Sequence, residues 1–165
     1  MFFMNIKMLK FSILALFMMS IATWPAMAQL VRLTDMDAAN FGVWSGSGNL
    51  TQNDVTCVYR DTGTTRYRVT GTDNSTITPG AFHLENPTHT IELPYQVKWR
   101  SKPTNGGKTL PYGSPINRKN ANQSSQTCAI DGLTSNMRIR IKTADLQAAP
   151  ASFYSAEVTI VIEPR

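Results

Sequence analysis

The sequence has few of the residues from which catalytic and metal sites are built. His83 and His89 are its two histidines, so a catalytic dyad or a histidine metal site would have to use both of them. Pro87 lies between them and argues against a single strand that presents both side chains on one face. The chain also lacks a G-x-S-x-G elbow, an H-E-x-x-H helix motif, a P-loop and a calcium loop. We therefore expect no enzyme activity, no catalytic residue, no metal site and no cofactor.

Cysteine is equally scarce, since Cys57 and Cys128 are the two in the chain. In an oxidising compartment, a lone pair of cysteines most simply forms one disulfide bond. This bond would close a long loop and so reduce the conformational entropy of the unfolded chain. The folded state would thereby gain a stabilisation on the order of 4 kcal/mol. The alternative is a pair of buried free thiols.

Long apolar runs are rare, and the prominent one lies near the N-terminus. Lys7 and Lys10 precede an apolar stretch over residues 11–22, and the small residues of Ala26-Met27-Ala28 follow it. This succession is typical of a secretory signal peptide. The apolar stretch is too short for a transmembrane helix, which needs roughly 20 apolar residues.

We therefore predict that residues 1–28 are a cleaved signal peptide and that the mature chain begins at Gln29. Residues 29–165 then form a single domain without a transmembrane anchor. The excess of basic over acidic residues is mild, with a formal net charge of +5 for the whole sequence. Such a balance gives no reason to expect a nucleic-acid partner and is typical of ordinary solubilising charge.

Apolar and polar residues alternate with a period of two in three segments, residues 91–100, 137–142 and 154–163. This alternation is typical of antiparallel strands with one buried face. Shorter runs predict further strands at Leu30–Met36, Phe41–Trp44, Val55–Tyr59, Tyr67–Thr70, Phe82–Leu84 and Thr127–Ile130.

Clusters of Gly, Asn, Asp and Ser separate these runs, and many short strands with frequent turns indicate a sandwich or barrel. Residues 101–124 lack alternation and predict an exposed excursion. Residues 144–149 could form one helical turn before Pro150. The sequence alone thus predicts an all-β domain.

The aromatic residues offer a second hypothesis, because tyrosine and tryptophan side chains could form a sugar-binding platform. Tyr95, Trp99 and Tyr154 occupy the same alternate positions as the apolar residues of their strands. This pattern favours positions in the core for all three. Trp44 lies beside a glycine-rich turn, and the sequence does not decide whether its side chain lies in the core or at the surface. A secreted carbohydrate-binding or other ligand-binding β-sandwich module therefore remains an alternative function.

Several short motifs, in their order and spacing from about residue 40 to residue 163, resemble the spore coat protein U-like domains that form subunits of archaic chaperone-usher pili. The motifs are Asn40-Phe41-Gly42-Val43-Trp44, Val55-Thr56-Cys57, Tyr67-Arg68-Val69-Thr70, Leu93-Pro94-Tyr95-Gln96-Val97 and residues 154–162. The chain departs from that family in two respects, because no cysteine precedes Phe41-Gly42 and because the short segment Gln29–Asn40 leaves little room for both a first strand and a separate donor segment.

The resemblance implies an immunoglobulin-like antiparallel β-sandwich that lacks its last strand. A periplasmic chaperone would lend a strand during transit, and the N-terminal extension of the next pilus subunit would replace that strand in the fibre. An outer-membrane usher is a further partner that the resemblance implies. The protein would then belong to a fimbrium on the cell surface, with roles in cell adhesion and biofilm formation.

By the same resemblance, an open groove would receive the donated strand, and the carboxylate of Arg165 would anchor the chaperone. Whether Gln29–Asn40 acts as a donor strand or as the first strand of the domain itself stays open at this point. The groove residues implied by the resemblance are Tyr154, Val158, Ile160, Ile162 and Arg165.

Overall fold

A computed structural model describes residues 29–165, and the predicted signal peptide lies outside the described residues. Within them the chain forms ten strands and one short helix, so the expected all-β class is confirmed. The elements are β1 (Val31–Thr34), β2 (Leu50–Arg60), β3 (Tyr67–Asp73), β4 (His83–Glu85), β5 (Glu92–Pro94), β6 (Gln96–Arg100), β7 (Lys108–Thr109), β8 (Ile116–Arg118), β9 (Ser135–Ile141), α1 (Thr143–Ala148) and β10 (Val158–Pro164).

The strands form two main antiparallel sheets. The five-stranded sheet has the order β1-β2-β9-β6-β7, and the three-stranded sheet has the order β10-β3-β8. Strands β4 and β5 form a separate antiparallel pair. The buried residues of both main sheets belong to one apolar cluster, so the sheets pack as an immunoglobulin-like sandwich around a single core.

The alternation seen in the sequence sets which side chains enter this core. Val97 and Trp99 of β6 are fully buried, while the polar residues between and beside them are half-buried. The indole Nε1 of Trp99 donates a hydrogen bond to the hydroxyl of Tyr67 at 3.2 Å, and that hydroxyl lies 2.9 Å from Oγ of Ser135. The two large aromatic side chains therefore enter the core with their polar atoms satisfied.

The disulfide between Cys57 and Cys128 is present, as the cysteine count predicted. Cys57 is fully buried on β2, and its Cα lies 5.7 Å from that of Cys128. The predicted strand at Thr127–Ile130 is wrong, however, because this segment consists of turns and Cys128 has a positive φ of 54°. The disulfide thus connects a central strand to a loop.

Phe41–Trp44 was also predicted as a strand, and this prediction is wrong as well. Gly42 adopts a φ of +64°, and its N–H donates to the side-chain oxygen of Asn40 at 3.0 Å. That left-handed conformation interrupts an extended run. Val43, which follows, is 97% exposed.

Residues 101–124 are more ordered than the expected excursion, because β7 and β8 lie within this range. These strands have only two and three residues, which is too short for alternation to be recognised in a sequence. The predicted strand over residues 91–100 is divided into β5 and β6 at Tyr95. The N–H of Tyr95 donates to the main-chain oxygen of Phe82, in register with the pairing of β5 with β4, whereas β6 pairs with β9. The last strand begins at Val158 rather than Tyr154.

Candidate strand-acceptor edge

Strand β10 lies at the edge of the three-stranded sheet. It pairs with β3 along its whole length, from Val158 opposite Asp73 to Pro164 opposite Tyr67. Within residues 29–165, no strand pairs with its other side. Strand β1 is an edge strand of the five-stranded sheet and lies close to β10 without pairing with it. One side of the sandwich is therefore open between two edge strands that belong to different sheets.

The side chains of β10 alternate in the way that its sequence predicts. Val158, Ile160 and Ile162 are half-buried and pack against the core, whereas Thr159 and Val161 are exposed. The inward side chains keep part of their apolar surface uncovered because no neighbour lies on the free side of the strand. The edge thus offers both unpaired main-chain groups and apolar side chains.

A glycine on β3 allows Ile160 to approach the core. Gly71 lies directly opposite Ile160 in the antiparallel pair. A Cβ atom at position 71 would lie 2.7 Å from Cδ2 of Leu110 and 3.3 Å from Cδ1 of Ile160. Residue 71 therefore has no room for a side chain, and the space is filled by its neighbours.

A buried arginine holds the far end of β10. Arg60 is 2% exposed at the end of β2, and its Nη1 donates a hydrogen bond to the main-chain oxygen of Arg165 at 2.7 Å. The same guanidinium donates to the main-chain oxygen of Arg66 and, at 2.6 Å, to the side-chain oxygen of Gln29. Arg60 thus joins the beginning of the domain, the turn before β3 and the end of β10.

Of the predicted groove residues, the structure brings three together on one face of β10. Arg165 lies at the end of that strand, where its main-chain oxygen also accepts a hydrogen bond from the hydroxyl of Thr64 at 3.3 Å. Tyr154 precedes β10 and lies in an irregular segment, where its hydroxyl donates to the main-chain oxygen of Pro150 at 2.8 Å. Its ring is half-buried against the core.

Sequence reasoning missed Arg60, although the sequence contained a signal for it. Thr56, Val58 and Arg60 share one parity on β2, and all three are buried. An arginine at a position where the alternation of a strand predicts a buried side chain needs hydrogen-bond acceptors for several of its N–H groups. The identity of those acceptors depends on residues far apart in the chain.

Tyr95, Trp99 and Trp44 do not form an exposed sugar-binding platform. Trp99 is fully buried and Tyr95 is 6% exposed. The indole Nε1 of Trp44 donates to the main-chain oxygens of Ser47 and Gly48, so this ring belongs to its own turn. The core positions expected for Tyr95 and Trp99 are confirmed.

Each of the two histidines lies beside a different glutamate carboxylate. Nδ1 of His83 lies 3.9 Å from Glu92, and His89 forms a short hydrogen bond with Glu85. The hydrogen bond from His89 is the main reason that the pKa of Glu85 falls to about 2. Glu85 also accepts hydrogen bonds from the backbone of Thr76 and Ile77, so it organises a loop.

Residues 29–165 hold neither a candidate metal cluster nor a membrane-spanning helix. This range contains no group of three or more His, Cys, Asp or Glu side chains that could hold a metal ion. None of its helices is long and apolar enough to cross a membrane.

Comparison with known proteins gives a result at the level of the fold. No family model and no curated protein matches the sequence. Among solved structures, the chain is similar to a chain of a chaperone-tip adhesin complex of CFA/I fimbriae biogenesis, with a TM-score of 0.57 and 15% identity over 82% of this chain. It is also similar to CfaE, the adhesive subunit of the CFA/I fimbria of enterotoxigenic Escherichia coli, with a TM-score of 0.48 and 16% identity over 73% of this chain.

The chain corresponds to 41% of the length of the first of these chains and 37% of the second. At 15% identity, the likeness to the first of these chains establishes a shared β-sandwich fold. The fold class is therefore that of pilus-subunit structures with an immunoglobulin-like sandwich, as the sequence motifs predicted. The resemblance to spore coat protein U-like domains in particular stays a prediction.

Proposed function

We propose that this protein is a subunit of a surface pilus that is assembled by a chaperone-usher pathway through strand donation. The observation that carries the proposal is the free edge of β10, which lies beside another edge strand and displays half-buried apolar side chains. The fold shared with a chain of a fimbrial chaperone-tip adhesin complex supports the same setting. The predicted signal peptide at residues 1–28 agrees with export.

In the proposed mechanism, a strand from a partner adds to the free side of β10. Its main-chain groups form the hydrogen bonds that the edge leaves unmade, which supplies affinity. Its alternate apolar side chains cover the exposed parts of Val158, Ile160 and Ile162, which supplies specificity for an alternating sequence. A periplasmic chaperone would occupy this edge first, and a neighbouring subunit would replace it with the help of an outer-membrane usher.

Residues Val31–Thr34 have a structural role that bears on the open question about the N-terminal segment. They pair with β2, with Val31 opposite Arg60 and Thr34 opposite Cys57. Val31 and Leu33 pack against the core. In the proposed function, this segment therefore acts as the first strand of the domain and forms one wall of the groove.

The proposal is tested by adding a strand to the purified protein. We expect a peptide with valine or isoleucine at alternate positions to raise the midpoint of thermal unfolding and to reduce self-association, because it covers an open sheet edge. The control is a peptide of the same composition in which the apolar residues are consecutive. A monodisperse monomer that unfolds cooperatively and responds to neither peptide would contradict strand donation and favour a secreted binding module.

A further inference from the structure

Six basic side chains line a cleft of about 490 Å³ at the end of the sandwich where β10 stops. They come from separate parts of the chain, because Arg66 precedes β3, Arg100 ends β6 and Arg118 ends β8. The antiparallel pairing of Tyr67 with Arg118 joins two of these segments. The six residues are Arg66, Arg100, Lys102, Arg118, Lys119 and Arg165.

The positive charge of this cleft is not balanced by acidic side chains. None of its lining residues is an aspartate or a glutamate. Over residues 29–165, the ion pairs of carboxylates involve His83 and His89, so no lysine or arginine is paired in this way. The main-chain oxygen of Arg165 accepts hydrogen bonds from Arg60 and Thr64, neither of which lines the cleft.

Main-chain oxygens hold two of the arginines in place. Nη2 of Arg118 donates to the main-chain oxygen of Trp99 at 3.2 Å, and its Nη1 donates to that of Asn117 at 2.9 Å. Arg100 donates to the main-chain oxygen of Asn105. Burial lowers the pKa of Arg118, since its charged form loses hydration, and a bound anion would compensate for that loss.

We propose that this cleft binds saccharides that carry sulfate or phosphate ester groups. Guanidinium groups match tetrahedral oxyanions through paired hydrogen bonds, and the exposed Lys102 and Lys119 add mobile positive charge. The side chain of Asn117 is exposed at the cleft and offers both a donor and an acceptor to sugar hydroxyls. The size of the cleft falls within the range of roughly 300–1,000 Å³ that is usual for small-ligand sites.

The composition of the cleft favours a saccharide over a nucleic acid. No aromatic side chain lines it, whereas proteins that bind single-stranded nucleic acids stack the bases on aromatic rings. The inference goes beyond the proposed function, because strand donation uses the free side of β10, whereas five of the six cleft cations, all except Arg165, come from other parts of the chain. Either one can therefore hold without the other.

The test uses protein expressed as the full chain and purified from the exported fraction. Binding of a sulfated hexasaccharide is measured by titration calorimetry, beside the same sugar without sulfate, inorganic sulfate, inorganic phosphate and a single-stranded oligonucleotide. We expect binding of the sulfated sugar that weakens steeply with salt, because the contacts are between charges. We expect the unsulfated sugar, the free anions and the oligonucleotide to bind at least about tenfold more weakly than the sulfated sugar. None of them combines ester anions with the hydroxyl groups of the sugar in the same arrangement.

Two variants with the same change in charge locate the site. In the cleft variant, Lys102→Glu is combined with Lys119→Glu, and in the control variant, Arg32→Glu is combined with Lys142→Glu. All four side chains are exposed, and the control residues do not line the cleft. We expect the cleft variant to bind the sulfated sugar at least about tenfold more weakly and the control variant to change affinity by less than about threefold.

Several results would overturn the proposal. Equal losses in both variants would mean that net charge alone attracts the sugar. Equal binding of the unsulfated sugar would mean that the esters are not recognised, and equal binding of the oligonucleotide would indicate a general polyanion surface. Saturation by inorganic sulfate or phosphate at the same concentration would reduce the site to one for a free anion.

Discussion

Ile160 lies opposite Gly71 in the pairing of β10 with β3, and the missing side chain of the glycine leaves the space that Ile160, Leu110 and Phe82 fill. This contact connects the proposed acceptor edge to the core, because Leu110 is 1% exposed and Phe82 is 7% exposed. A change at either residue therefore affects both the folding of the domain and the shape of its open edge.

The first prediction concerns the face of β10 that points inward. Ile160→Asp places a charge among apolar side chains, and we expect it to lower the free energy of unfolding by about 2 to 4 kcal/mol. Thr159→Asp is the matched control, since this residue is exposed on the opposite face. Urea unfolding of the two variants measures the difference. Equal tolerance of aspartate at both positions would refute the groove assignment.

The second prediction concerns the glycine itself. We expect Gly71→Ala to lower the free energy of unfolding by about 1 to 3 kcal/mol, because the added methyl group overpacks a filled site. The neighbouring Thr72 is half-buried, and Thr72→Ala removes atoms instead of adding them. Urea unfolding should therefore give a smaller loss for Thr72→Ala, and a neutral Gly71→Ala would show that Leu110 and Ile160 can move apart.

The third prediction concerns the disulfide. We expect the double variant with Cys57→Ala and Cys128→Ala to lose about 3 to 5 kcal/mol of stability, because the unfolded chain regains the entropy of the opened loop. Thermal unfolding of the variant and of the reduced protein measures this loss. Exported wild-type protein should show no alkylatable thiol by intact mass, and two reactive thiols would contradict the bond.

The fourth prediction concerns acid stability. Glu85 has a pKa lowered from an ordinary value of 4.5 to about 2, mainly by its hydrogen bond with His89. A lowered pKa in the folded state contributes stability that is complete above the unfolded value and is lost as pH falls toward the folded value. We therefore expect the melting temperature of the wild type to fall between pH 4.5 and about 2 more steeply than that of Glu85→Gln.

The control for this pH dependence is Glu157→Gln, since Glu157 is exposed. Its melting temperature should follow the acid profile of the wild type. If Glu85→Gln also follows that profile, the carboxylate of Glu85 does not carry the acid sensitivity of the loop.

Local alternation determined which side chains are buried. Val97, Trp99 and Ile139 occupy the core because a strand places every second residue on one face, whatever its partner is. The cysteine count likewise determined the disulfide, since Cys57 had one possible partner within the chain.

Pairing between distant segments was decided by the tertiary structure. Strand β2 pairs with β9 and strand β10 pairs with β3, and these contacts join residues that lie far apart in the sequence. The two residues of β7 form a strand only because β6 offers them a ladder. In the same way, Arg60 finds its acceptors in Gln29, Arg66 and Arg165 only after the chain has folded.

The sequence by itself determined the β class, the buried faces and the disulfide, because each follows from residue type and local spacing. The tertiary structure decided that β10 lies at an edge beside β1 and that six cations meet at one end of the sandwich. Main-chain hydrogen bonds between strands are the same for every sequence, so the choice of neighbours depends on how the whole core packs. Which edge remains free to accept a partner is a property of that packing.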